Sequence, residues 1–168
     1  LRIAQNSARS NKRNSKIQLK INSILDELKI NYEREKIFEY YAADNYLNDF
    51  NLIIEVMGDY WHGNPIRYNE NKYTLNSIQD RTIIKDKQKK SYITNKYDIK
   101  ILYLWETDIN KNEELCKKLI QEYINCNGVL NNYHSFNYSI SESSLSLNSN
   151  IITPYQDLNR KEYTNIIK

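Results

Sequence analysis

The chain opens its regular patterning at residue 15. Ile17, Ile21, Ile24, Leu25 and Leu28 recur at spacings of three and four, which predicts an amphipathic helix ending near Lys29, with Ser15 as its N-cap. Residues 30–38, INYEREKIF, alternate only in part and predict a first strand. Residues 40–47 are rich in aromatic and apolar side chains, Asn48, Asp49 and Asn51 supply turn chemistry, and residues 52–57 form an almost unbroken apolar run. Two strands joined by a tight turn follow from that order. Residues 63–77 are polar, with Gly63, Asn64 and Pro65 at their head, and predict a loop. Residues 78–95 predict a basic helix that turns Ile83, Ile84 and Tyr92 inward. Residues 98–105, DIKILYLW, predict another strand, with Glu106 at its end. Residues 112–125 predict an amphipathic helix burying Leu115, Leu119, Ile120 and Tyr123, closed by Asn127-Gly128. Beyond Val129 the pattern weakens. SISESSLSLNSN (139–150) has the composition of a linker, and residues 153–168 predict at most a short helix. Helix, three strands, helix, strand, helix is an α/β order, a mixed sheet covered by helices. No internal repeat is present.

Length and composition add boundaries. The 168 residues suit one domain with tails: an N-terminal arm (1–14), a core (15–126) and a polar C-terminal extension (127–168). A first residue of Leu rather than Met suggests a piece of a longer protein. Net charge is only +3, but its distribution is uneven. Arg2, Arg9, Lys12, Arg13, Lys16 and Lys20 precede any acid, and between Arg81 and Lys100 seven bases face Asp86 and Asp98. Such clusters favour a polyanion, with solvated lysines as the plainer alternative. Cys116 and Cys126 lack metal-ligand spacing and read as reduced thiols of a cytoplasmic protein. There is no signal peptide and no apolar run long enough for a bilayer, so no membrane partner is expected.

The chemistry gathers at the end of the hairpin. Glu55 lies within the apolar run, where a carboxylate must be paired or hold a metal. Asp44, on the neighbouring strand, gives a second carboxylate. Hard oxygens of this kind suit Mg²⁺ or Mn²⁺, which stabilise charge on a phosphodiester under attack. The bland alternative is one carboxylate in a surface turn and one salt-bridged to a lysine. Beyond Gly58, which permits a sharp turn, His62 is a candidate general base, and Asp86 on the basic helix could orient its ring. The competing role for Asp86 is an ion pair with Lys89 or Lys90 on its own helix. Tyr60 and Trp61 are expected to divide, one in the core and one against bases, while Trp105 belongs to the core. Arg9, Lys12, Arg13, Lys16, Lys85, Lys87, Lys89 and Lys90 are the candidate phosphate contacts.

Asp44, Glu55-Val56-Met57-Gly58, Trp61-His62, Lys85-Asp86-Lys87 and IKILYLWE (99–106) together resemble the very short patch repair (Vsr-like) endonucleases. They equally resemble the phage homing endonucleases that share that core and carry a Glu, Asp, His, Asp signature. Both belong to the PD-(D/E)XK (restriction-endonuclease-like) superfamily. The resemblance spans residues 15–106 and leaves the tail uncovered. It implies a Mg²⁺-dependent endonuclease acting on double-stranded DNA, encoded by a phage or bacterium. Asp44 would be the principal metal ligand, the Val56 carbonyl a second, and Glu55 an assistant, with His62 and Asp86 acting on water. Gln18 stands where the family has its first Glu. Three explanations remain: natural weakening, substitution by Glu33 or Glu35, or an introduced Glu→Gln replacement that traps uncleaved substrate, which is the one favoured. The superfamily lysine would fall at Met57, with Lys87 as a stand-in. The His and Cys of the repair enzymes' zinc site are replaced by Gly63, Asn64 and Pro65, so no zinc is expected. That difference tilts the reading toward a site-specific homing-type enzyme. The alternatives are a mismatch-specific nickase and a weak or inactive DNA-binding module.

Overall fold

In the computed structural model, which describes residues 15–68, 75–159 and 161–162, four strands form one mixed sheet. Helix α1 (Lys16–Glu27) leads into β1 (Glu33–Phe38), β2 (Tyr41–Leu47) and β3 (Leu52–Met57). Helix α2 (Ser77–Tyr97) then crosses over to β4 (Ile101–Trp105), followed by α3 (Glu106–Lys111), α4 (Glu113–Asn125) and a small hairpin of β5 (Tyr138–Ser141) and β6 (Ser144–Leu147). The strand order is β1-β2-β3-β4. The first two pairings are antiparallel and β3 pairs with β4 in parallel, Glu55 opposite Tyr103 and Met57 opposite Trp105. A parallel pair cannot be closed by a tight turn, and α2 is the connection it requires.

β3 and β4 are buried along their whole length because helices and chain cover both faces. On one face Leu52, Ile54, Val56, Leu102 and Leu104 pack with Ile21, Ile24 and Leu25 of α1 and Leu115, Leu119 and Tyr123 of α4. On the other, Ile53, Met57, Ile101, Tyr103 and Trp105 pack with Ile93 of α2 and Phe136. Glu55 shares strand parity with Ile53 and Met57, so it projects toward α2.

The structure corrects several expectations. β1 begins at Glu33, not Ile30, and β4 at Ile101, not Asp98. Ile84 is 42% exposed; Ile83 and Ile93, close to three turns apart, carry the buried stripe instead. The six-residue helix α3 was not foreseen. Residues 139–150 are not a linker. They form the β5–β6 hairpin, whose Tyr138, Ile140 and Leu145 join the core. Its turn sits at Glu142 and Ser143, both at positive φ (50° and 61°), as a tight hairpin demands. That turn lacks the Asn-Gly pair that usually announces it. Among the described residues no helix is long and apolar enough to cross a membrane.

Candidate active site

Asp44 sits where regular pairing between β2 and β3 stops. The ladder runs from Leu47↔Leu52 to Asn45↔Ile54 and goes no further. Side chains then replace main-chain pairing: Val56 N–H donates to Asp44 Oδ2 (2.8 Å) and Asp44 N–H to Glu55 Oε1 (3.1 Å). The two carboxylates thereby close the splayed strand ends and keep their groups satisfied. Gln18 stands three residues past the N-cap of α1, whose Ser15 hydroxyl accepts the Gln18 N–H. A Gln there often reaches back to the cap. Here Nε2 donates to Asp44 Oδ1 (3.2 Å) instead.

Lys89 completes this wall. It was expected to face phosphate, but its Nζ donates to Glu55 Oε2 at 2.8 Å in a largely buried pair. The reason is helical phase: Asp86, Lys89 and Ile93 lie three and four residues apart and face the sheet. Lys89, rather than Met57 or Lys87, is therefore the lysine that meets the carboxylates; Met57 is buried core. Burial, then the charge of Asp44, pushes the Glu55 carboxyl up to about 7 against the pull of Lys89. Burial would depress Lys89, but Glu55 and Asp44 outweigh it and hold the ammonium cationic.

His62 faces these groups across a cleft of about 400 Å³ lined also by Gln18, Lys85, Asp86 and Trp61. It ends the turn after β3, where His62 N–H donates to the Gly58 carbonyl (3.1 Å). The buried Asp59 fixes that turn: its N–H donates to Glu106 Oε1 (2.9 Å), Asn64 Nδ2 donates to its carboxylate (2.8 Å), and so does the Thr107 hydroxyl. From the other side Gln79, in the capping box of α2, donates to the Tyr60 carbonyl (2.7 Å). His62 Nδ1 lies 2.6 Å from Asp86 Oδ2. A carboxylate only accepts, so Nδ1 carries the proton, and Nε2 is bonded to nothing among the described residues. Burial lowers the proton affinity of the ring, but the charge and hydrogen bond of Asp86, joined by the charges of Asp44 and Glu55, together outweigh it and the net shift is upward.

The remaining expected contacts are scattered. Tyr60 and Trp61 do not divide between core and surface: both are exposed, Trp61 by 56%, stacked edge-on at 5.2 Å, while Trp105 is fully buried. Lys87 donates to the Leu158 carbonyl and Lys90 to Asp157 (2.9 Å), so both are engaged by the tail. Lys85 and Lys16 are exposed, Lys85 at the cleft. Arg9, Lys12 and Arg13 lie outside the described residues. The site also holds a residue that was not foreseen, Gln156, whose Nε2 donates to the His62 carbonyl (2.5 Å) and to Asp86 Oδ2 (3.2 Å). Seventy residues separate it from Asp86 in a segment without apolar periodicity, so no local signal announced it.

The donor set suits a hard cation. Asp44, Glu55 and the Val56 carbonyl offer oxygen donors, and Mg²⁺ binds through one or two carboxylates while keeping its waters. Two neighbouring carboxylates, one of them held toward protonation, are what an added positive charge would relieve.

No family model and no curated protein matches the chain. A solved structure described as the catalytic domain of the homing endonuclease I-Bth0305I is similar over 67% of this chain and 97% of its own, at 25% identity and a TM-score of 0.48. A likeness of that degree does not fix the chemistry, which rests on the side chains.

Proposed function

We propose that the chain is a metal-dependent DNA endonuclease. The observation that carries this is one cleft with Asp44, Glu55 and Lys89 on one wall and the His62–Asp86 pair on another. Asp44, the Val56 carbonyl and Glu55 would hold Mg²⁺ or Mn²⁺, which when bound supplies charge neutralisation at the phosphodiester and acidifies water. Asp86 keeps the His62 proton on Nδ1, so Nε2 accepts the proton of the water that attacks phosphorus. The bond from phosphorus to the leaving oxygen then breaks, and that oxygen takes a proton from solvent water. Lys89 holds Glu55 in place and adds positive charge beside the phosphate. Exposed Trp61 and Tyr60 give bases a stacking face, and Lys85 and Lys16 give phosphates a counter-charge. Site-specific double-stranded cleavage of homing type is the finer reading. A T:G-mismatched duplex cut in preference to its matched counterpart would favour a repair nickase.

A supercoiled plasmid incubated with Mg²⁺ tests the proposal. Relaxation or linearisation that stops with chelator, and falls about a hundredfold or more in Asp44→Asn, is the expected result. One second reading has its own support. The Gln18–Asp44 hydrogen bond occupies a carboxylate oxygen with an uncharged donor, which fits a weak or inactive DNA-binding module. Salt-dependent plasmid binding with no cleavage at any Mg²⁺ or Mn²⁺ concentration would decide for that reading.

A further inference from the structure

We propose that Gln156 is a positioning residue for the His62–Asp86 pair, held in place by a C-terminal strap of residues 155–158; this rests on the nuclease reading above. Its Nε2 reaches both partners at once, the carbonyl of His62 at 2.5 Å and the Asp86 oxygen that also takes the His62 ring proton. Both partners are acceptors, so the amide can present only its nitrogen. The flipped rotamer would set Oε1 against a carboxylate and a carbonyl.

The other end of the amide is telling. Gln156 is buried, and its Oε1 has no hydrogen-bond partner among the described residues. A bare buried oxygen is destabilising, and an apolar side chain of the same length would avoid it. Packing therefore does not explain a Gln at this position, whereas its two donated bonds do.

Each neighbour in the strap is anchored separately. The Tyr155 hydroxyl donates to the Tyr68 carbonyl. Asp157 accepts from His134 Nε2 (2.8 Å) and from Lys90 (2.9 Å), and the Leu158 carbonyl accepts from Lys87. With one flank tied to the loop at Tyr68 and the other to α2 and His134, the amide has little freedom. Asp86 Oδ2 is then shared between two fixed donors. The carboxylate cannot swing away, the Nδ1–H tautomer persists, and Nε2 stays available to the cleft.

The test is Gln156→Met in the full chain, read three ways: melting temperature, the downfield Nδ1–H proton resonance of His62 without DNA or metal, and steady-state plasmid cleavage with Mg²⁺. We expect a folded protein whose His62 Nδ1–H signal is lost to exchange. Its kcat should fall about tenfold, part of the hundredfold or more a general base contributes, with KM within about twofold. A folded variant with wild-type Nδ1–H signal or wild-type kcat overturns the proposal, as does a rise in KM alone. If Gln156→Met does not fold, Gln156→Asn, which withdraws the amide by one methylene, takes its place under the same criteria. If the wild type cuts no DNA, the nuclease reading falls and the His62 resonance alone decides whether Gln156 positions the ring.

Discussion

At the scale of single residues, the site turns on whether charge or an amide faces Asp44. Gln18 donates a hydrogen bond to that carboxylate, so the wall is satisfied without a cation. A carboxylate at the same place would repel Asp44 and Glu55 unless a cation sat among them. Gln18→Glu should therefore lower the melting temperature in chelator, recover it with Mg²⁺, and raise metal-dependent cleavage. A variant whose melting temperature ignores Mg²⁺ and whose cleavage does not rise would remove Gln18 from the metal argument. Glu55 was legible because a carboxylate in an apolar run violates the strand's pattern, and its burial is compensated by Lys89 and the Asp44 amide. Lys89 was not legible as a site residue. In sequence it is one lysine among several, and only helical phase separates it from its neighbours.

Among the elements, the chain's C-terminal third does more than its composition suggests. His134 is fully enclosed, with Trp105 Nε1–H donating to its Nδ1 (3.2 Å) and its Nε2 beside Asp157. An indole N–H only donates, so Nδ1 is bare and the ring is neutral, its Nε2–H given to Asp157. Burial accordingly lowers the His134 pKa from its usual value near 6.5. Asp157 also shifts downward, to about 2: burial opposes ionisation, but the His134 bond and Lys90 outweigh it. Both folded values lie below the unfolded ones, so both contributions are complete above about pH 6.5 and erode as pH falls. His134 erodes first, below about 6.5, and Asp157 below about 4. The loss of melting temperature between pH 7.5 and pH 5 should be smaller in His134→Gln than in the wild type; equal slopes would refute the assignment. A second element-level prediction concerns Gly128, which closes α4 at φ +82°, where an added Cβ would lie 2.6 Å from Leu52 Cδ2 and 2.9 Å from Lys100 Cδ. Gly128→Ala should cost about 2 kcal/mol in a denaturant titration, through overpacking and backbone strain together.

At the scale of the molecule, and among the described residues, the basic surface along α2 is smaller than its count of lysines implies. Lys87, Lys89 and Lys90 are spent on internal partners, whereas Lys85 and Lys16 stand exposed. Each phosphate contact steepens the fall of affinity with salt. Lys85→Ala and Lys16→Ala should each lower the log–log salt slope of DNA binding by about one. Lys87→Ala should instead lower the melting temperature and leave that slope unchanged. A changed slope in Lys87→Ala would mean the tail does not hold that lysine in solution. By itself the sequence determined the α/β order, the amphipathic helices α1 and α4, the β2–β3 hairpin and the suspicion attached to Asp44, Glu55, His62 and Asp86. These follow from period, turn chemistry and a charge out of place, all local properties. Tertiary structure alone decided which lysines point inward, that the Ser-rich stretch pairs as a hairpin, and that Gln156 meets the His62–Asp86 pair. Those outcomes depend on helical phase against a sheet, on a core that receives Ile140 and Leu145 of the hairpin, and on contacts between residues far apart in the chain, none of which a local pattern encodes.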